Sequence, residues 1–290
     1  MRTAVLGMGG MGRALARRML KNEYSVTVWN RTPGKAGDVV DDGGVEAGSP
    51  EEAVRGADAV LLSLSDDDAV REVVARLDGI EDGVIVVDTS TVSPGTSRAL
   101  RATVPGGRFL AAPIAGGPVA VVEGTATTLV GGERRLVDRL DPIWKDVFAS
   151  WSYCGEDPGS ATAFKLLSNY LMMAGLAVLA EVAATAQAAG LDDQLTRDFL
   201  ASWPTVAPGL HNRLDDVLSG EHGGWFTTRL GAKDLRLARE LAAGSGLDLP
   251  IAGLVERRYE EAAERGWAGH DIAAIVELLR DGPRKPGGTS

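Results

Sequence analysis

Lys165 and Asn169 stand four residues apart in Ser-Ala-Thr-Ala-Phe-Lys-Leu-Leu-Ser-Asn, residues 160–169. That spacing is about one helical turn, so a cation and a carboxamide share one face there. A protonated amine can donate to an oxygen that is gaining negative charge, and a carboxamide can hold the reacting group in place. Together they suit the reduction of a carbonyl, with Lys165 as general acid and Asn169 as the positioning group. In the oxidative direction the amine must be neutral to act as base, and burial in an apolar helix weakens an amine's hold on its proton.

Upstream, Gly7-Met8-Gly9-Gly10-Met11-Gly12 is a GxGxxG that follows an apolar run and opens a helical stretch. In that setting Gly7 makes the tight turn, Gly9 lets backbone approach a pyrophosphate, and Gly12 allows close packing of helix on strand. The pyrophosphate would rest on the helix N-terminus. The end of the second strand then separates two cofactors. A carboxylate there would take the ribose hydroxyls of NAD, but this chain has Asn30-Arg31-Thr32. Arg31 can pair with a 2′-phosphate, and Asn30 and Thr32 can donate to it without repelling it, so NADPH (NADP+) is expected over NADH.

These groups need a scaffold, and the first half of the chain supplies its pattern. Short β-branched runs alternate with helical stretches, as in a parallel sheet covered by helices. Strands are expected at residues 3–6, Ser25–Trp29, 59–64, 84–88, 109–112 and 127–130, with a helix at Gly10–Lys21 and another from Glu133. Loops of Ser, Asp or Thr follow the middle strands, where doubly wound sheets bind ligands. After Asp157-Pro158-Gly159 the composition shifts. Residues 161–189 are apolar or small except for Lys165, Ser168, Asn169, Glu181, Thr185 and Gln187, so this helix must be buried on several sides. Further helices are expected at Asp193–Ser202, 209–218, 231–243 and 251–265. The fold class is therefore α/β: an N-terminal Rossmann doubly wound sheet at 1–158, an all-helical domain at 159–281 built on one long helix, and a Pro/Gly-rich disordered tail at 282–290. A helix this apolar in so small a domain is expected to complete its burial in a homodimer.

Composition narrows the function classes. The chain has 290 residues, 44% of them hydrophobic, and a net charge of -10, which disfavours nucleic acid and anionic membrane as partners. The lone Cys154 excludes an intrachain disulfide framework and fits a reducing cytoplasm. The opening MRTAVLGMGG breaks into glycines too soon for a signal peptide and reads as a buried strand. The longest apolar run, 170–180, is too short to span a bilayer. His222 and His270 are isolated, and no cluster has metal-ligand spacing, so the reaction is expected to be metal-free. Asp66, Asp67 and Asp68 read as a solvated loop or a helix N-cap.

LGMGGMG, VWNRT, Leu64-Ser65-Asp66, DTSTVSP at 88–94, AAPIAGGP at 111–118, GGE from Gly131, the Lys165/Asn169 helix and AKDLRLA from Ala232 together resemble the β-hydroxyacid dehydrogenases. The resemblance spans nearly the whole chain in order. It implies a helical domain of the 6-phosphogluconate dehydrogenase C-terminal type and an active site between the two domains. It also implies that Lys165 is the catalytic lysine, that Asn169 positions substrate, and that Leu64, Ser65 and Thr91 contact the cofactor, Thr91 at its nicotinamide end. Lys233 would close over the cofactor. Ser90, Ala115, Gly116 and Gly117 would form the substrate site, the glycine amides receiving a carboxylate.

Two departures leave the substrate open. The family's loop usually reads Asp-Ala-Pro-Val-Ser-Gly-Gly, whereas here Ala115 replaces the serine and cannot donate its hydroxyl. Residues 155–161, Gly-Glu-Asp-Pro-Gly-Ser-Ala, resemble the matching stretch of imine reductases, although those usually carry Asp or Tyr where this chain has Lys165. Trp203, Trp225 and His211 are candidates to line a larger apolar pocket. The readings are a reductase of an aldehyde or keto acid, an imine reductase acting on a cyclic or secondary imine, and a non-catalytic NADP-binding protein.

Overall fold

A computed structural model describes residues 1–77 and 80–280, so the expected tail at 282–290 lies outside the described residues. The described residues form two units, Met1–Lys165 and the part from Leu166 onward.

The first unit is built on nine strands: β1 (Arg2–Leu6), β2 (Ser25–Trp29), β3 (Val45–Glu46), β4 (Ala59–Leu62), β5 (Ile85–Asp88), β6 (Phe109–Ala111), β7 (Ile114–Ala115), β8 (Thr127–Gly132) and β9 (Ser150–Tyr153). The sheet order is β3-β2-β1-β4-β5-β6-β8-β7, with β9 beside β8. From β3 to β6 every pairing is parallel. The chain runs outward one way from β1 to β3, then returns to build β4, β5 and β6 on the other side. The strand order therefore reverses between β1 and β4, and doubly wound sheets take ligands at the C-terminal ends of such strands.

Parallel strands covered on both faces read as continuous apolar runs, and all four residues of β4 are buried. Alternate side chains then supply opposite faces. Val5, Leu61, Ile85, Val87 and Leu110 pack with Leu15 and Met19 of the helix Gly10–Lys21 and with Trp144. Leu6, Leu62, Val86 and Phe109 pack on the other face with Val70 and Val73 of the helix Asp67–Ala75 and Leu100 of the helix Pro94–Thr103. The expected strands are present. The third of them ends at Leu62 rather than Leu64, because Ser63 to Asp66 turn away to carry a loop. β3 and β7, two residues each, and β9 were not expected. The two-residue strands carry no alternation to read, and β9 alternates only between exposed and half-buried positions.

The second unit is helical. Its core joins Met173, Leu176, Leu179 and Ala183 of the long helix Pro158–Ala188 to Leu214, Val217, Leu235, Tyr259, Ile272 and Ile275. Gly231 permits this packing, because a Cβ there would lie 3.0 Å from Ile272 Cγ2 and 3.1 Å from Met173 Sδ. The helix expected at 231–243 starts earlier, at Thr228, where the Thr227 hydroxyl caps the Leu230 amide at 3.3 Å. The helix expected at 209–218 is two pieces, a 3-10 stretch Pro208–Arg213 and an α-helix Leu214–Ser219. His222, isolated in sequence, is not isolated in space. Its buried ring sets Nε2 3.0 Å from Glu277 Oε1 and Nδ1 3.5 Å from Asp216 Oδ1. The buried Arg213–Asp271 pair, at 2.8 Å, belongs to the same unit.

The long helix is buried on one side only. Phe164, Leu167, Leu171, Val178 and Val182 are exposed at spacings of three, four, seven and four, a stripe along one face. By length and composition alone this 31-residue helix is apolar enough to cross a membrane, a test that the core helix of a globular protein also passes.

Candidate active site and cofactor loops

Four loops of the first unit meet at the strand C-terminal ends. Gly7 follows β1 with φ +103°, and a Cβ there would collide with the Ser63 carbonyl. A Cβ on Gly12 would collide with the Gly7 carbonyl, so helix and strand approach as closely as backbone allows. Gly9 is the helix N-cap, without a side-chain cap and with no acidic residue in the first turn. Nothing lies within 4 Å of where its Cβ would stand. Main-chain amides at a helix start with open space before them are suited to a pyrophosphate.

The loop is tied to the next strand by two bonds. The Gly7 amide donates to the Trp29 carbonyl at 2.8 Å, and the Met8 amide donates to Asn30 Oδ1 at 2.9 Å. Asn30 Nδ2 in turn donates to the Thr32 carbonyl at 2.9 Å. Arg31 projects outward, 78% of its side chain exposed, and among the described residues its ion pair is a loose one with Glu72 at 3.7 Å.

The third loop follows β4 and is stitched to the one after β5. The Leu64 amide donates to Ser90 Oγ at 2.9 Å, the Thr89 hydroxyl to the Leu62 carbonyl at 2.6 Å, and the Ser90 amide to Asp88 Oδ1 at 2.9 Å. Ser65 donates to Asp66, and Asp66 caps the helix Asp67–Ala75 by accepting the Ala69 amide at 2.9 Å, as the three-acid run suggested. Asp67 turns inward and accepts from the Ser93 amide and from the Ser93 and Thr96 hydroxyls. Burial works to raise that carboxyl, but these hydrogen bonds outweigh it and hold it below its ordinary range. Thr91 is half-buried just after β5.

Beyond β7, Gly116 has φ +131°, and a Cβ would crowd Ala126 and Ala120 at 3.2 and 3.3 Å. Gly117 caps the short helix Pro118–Glu123 with no side chain of its own, and Ala115 before it is half-buried.

On the long helix Lys165 is half-buried and Asn169 is buried, 4% exposed. Asn169 Nδ2 donates to Asp234 Oδ2 at 2.6 Å, and Lys233 Nζ stands 3.0 Å from Asp234 Oδ1. The structure thus brings Asn169 and Lys233 together on a shared carboxylate that is 2% exposed. Asp234 escaped the sequence reading, although it sits inside the AKDLRLA segment. Trp203 and Trp225 are both exposed, and Trp225 packs beside Arg213. Among the described residues no group of His, Cys, Asp and Glu could hold a metal ion.

A doubly wound sheet with a glycine loop at its switch point and a lysine one turn from a fixed asparagine defines the class: an NAD(P)-dependent oxidoreductase. Residues 2–155 match the profile of the NAD binding domain of 6-phosphogluconate dehydrogenase. Residues 159–279 match that described as NAD-binding of NADP-dependent 3-hydroxyisobutyrate dehydrogenase. An uncharacterized oxidoreductase of Shewanella frigidimarina is 32% identical over 292 residues, covering 96% of this chain and 99% of that one. Glyoxylate/succinic semialdehyde reductase 1 of Arabidopsis thaliana is 27% identical, with 97% and 99% covered. Among solved structures, Psf3 in complex with NADP+ and 2-OPP superposes with a TM-score of 0.88 at 26% identity, covering 96% of this chain and 99% of that one. An imine reductase of Streptomyces aurantiacus, equally identical and equally covered, reaches 0.66. The chain belongs to the β-hydroxyacid dehydrogenase family.

Proposed function

We propose that the protein is an NADPH-dependent reductase that converts an aldehyde or keto acid to the alcohol, with Lys165 as general acid. The observation that carries this reading is the helical turn holding Lys165 and Asn169, in which the Asn169 amide is fixed by buried Asp234. When bound, the nicotinamide supplies hydride to the carbonyl carbon. Lys165 Nζ gives its proton to the carbonyl oxygen as negative charge develops there. With Nδ2 committed to Asp234, Asn169 keeps Oδ1 as an acceptor for a substrate hydroxyl or for the lysine ammonium. Gly9 to Gly12 present main-chain amides to the pyrophosphate, the Gly7 and Met8 amides being spent on Trp29 and Asn30. Leu64, Ser65 and Thr91 flank the cofactor, and Lys233 is assigned to it by the family resemblance. Arg31, exposed and held only loosely by Glu72, is free to turn onto a 2′-phosphate. Ser90 and the loop Ala115-Gly116-Gly117 receive substrate.

NADPH is further supported by the NADP+ in the Psf3 complex, and the aldehyde substrate class by the Arabidopsis reductase. The imine reading retains support from Ala115 and from the stretch 155–161, but Lys165, where imine reductases usually carry Asp or Tyr, favours a carbonyl. We also place the exposed stripe Phe164, Leu167, Leu171, Val178 and Val182 in a homodimer contact, because it leaves unburied the apolar face that a second copy would cover. Purified protein assayed with NADPH and NADH against glyoxylate, succinic semialdehyde and a cyclic imine tests the reading. Turnover of an aldehyde with NADPH is expected. Turnover of the imine alone, or of nothing, would overturn it.

A further inference from the structure

Asn30 has the position of a phosphate ligand but not its freedom. Both ends of its carboxamide are engaged by backbone groups of fixed polarity: Oδ1 accepts the Met8 amide at 2.9 Å and Nδ2 donates to the Thr32 carbonyl at 2.9 Å. An amide proton on one side and a carbonyl oxygen on the other admit only one orientation of the side chain. The Met8 amide, turned back toward β2, no longer faces an anion, and the Gly7 amide is turned back likewise by Trp29. The pyrophosphate therefore falls to the amides that follow, and their placement depends on the two ties behind them. On its other side Asn30 closes the turn that carries Arg31.

We infer that Asn30 is a positioning residue that couples the two halves of the dinucleotide site: through Met8 it sets the pyrophosphate loop used by either cofactor, and through Thr32 it sets the Arg31 turn used only by NADPH. The second half rests on the 2′-phosphate reading of Arg31. The first does not. An aspartate at this position would keep the acceptor for Met8. Being ionised, it could not donate to the Thr32 carbonyl and would bring a negative charge toward the 2′-phosphate. Asparagine is thus the residue of this size that serves both ties.

The test is fluorescence titration of NADPH and NADH into the full-length protein, with melting temperature measured beside it. Asn30→Ala loses both ties. Each hydrogen bond contributes about 1 kcal/mol net, so Kd for NADH, which draws on the Met8 tie alone, should rise about fivefold and Kd for NADPH, which draws on both, roughly thirtyfold, while the melting temperature stays within a few degrees. Asn30→Asp should leave NADH within about threefold of wild type and weaken NADPH well beyond that. Arg31→Ala should weaken NADPH alone. If Asn30→Ala weakens only NADPH, Asn30 is a direct phosphate ligand and the inference fails. It also fails if neither Kd moves. Should the alanine variant not fold, Asn30→Asp decides the matter: equal weakening of both cofactors overturns the coupling. If Arg31→Ala weakens both cofactors alike, the 2′-phosphate reading falls while the Met8 tie stands.

Discussion

Replacing Asp234 by asparagine keeps the shape of the side chain and removes one negative charge from a place that is 2% exposed. Two groups feel the change. Asn169 Nδ2, 2.6 Å away, exchanges a charged acceptor for a neutral one. Hydrogen bonds to charged groups contribute about 1.5–3 kcal/mol and neutral ones about 0.5–1.5, so the difference is about 1–1.5 kcal/mol. Orientation is lost as well. An aspartate can only accept, which forces Asn169 to present Nδ2 to it and Oδ1 elsewhere. An asparagine can do either, so Asn169 becomes free to flip. Lys233, 3.0 Å away with 12% of its side chain exposed, loses this carboxylate as a partner. Removing one partner of a fully buried pair costs about 3–5 kcal/mol, and the residual exposure of Lys233 and its remaining contacts reduce that to about 1–3. The expected result is a fall in kcat/KM of roughly tenfold or more and a melting temperature lower by several degrees. Steady-state assays with NADPH and the best aldehyde, run beside differential scanning calorimetry, measure both. Wild-type kcat/KM in a protein that melts lower would show that Asp234 serves packing alone, and wild-type values of both would refute the reasoning about the shared carboxylate.

Lys165→Ala should reduce kcat by at least about a hundredfold, the usual contribution of a positioned acid, while NADPH titration stays near wild type. Preserved turnover would remove Lys165 from the chemistry. Glu72→Gln should tighten NADPH about two- to threefold and leave NADH unchanged, because Glu72 competes for Arg31 at 3.7 Å across solvent. That gain should shrink in titrations repeated at high salt, and an equal shift for NADH would disprove it. Burial pushes the Asp216 carboxyl up to about 6, against about 4 in an unfolded chain. The folded state then holds this proton more tightly than the unfolded state. The stabilisation is complete below about pH 4 and disappears as pH rises through about 6. Asp216→Asn should match wild type near pH 4 and melt higher above pH 6, as thermal melts across that range would show. Parallel melting curves for the two proteins would rule this out.

Much of the first unit was legible because its signals are local. Val5, Leu61 and Val87 announce buried strands by their neighbours in sequence, and Gly7, Gly9 and Gly12 announce a turn by spacing. What escaped depends on distant partners. Asp234 reads as an ordinary acid on an amphipathic helix until Asn169, 65 positions away, is placed beside it. Asn30 reads as a donor to phosphate until Met8 and Thr32 claim its amide. His222 acquires its carboxylates from positions 216 and 277, one close in sequence and one remote. β9 pairs in parallel with β8 across an intervening pair of helices, and nothing within Ser150–Tyr153 advertises that partner. Burial of a polar group is a property of the assembled chain, so sequence can propose such a residue without knowing what its hydrogen bonds are for.

The long helix also acts as a ruler. Lys165 and Asn169 are carried on one uninterrupted run, Pro158–Ala188, with no loop between them to absorb an error. Each residue added to a helix turns everything beyond it by about 100° and advances it by about 1.5 Å. A single insertion between the two would swing Asn169 off the face of Lys165, and would also carry Met173 and Leu176 out of the core that they fill. Loops elsewhere in the chain can lengthen or shorten over generations. The interval between these two residues is closed to insertion and deletion, and variation can enter it only by exchanging one side chain for another.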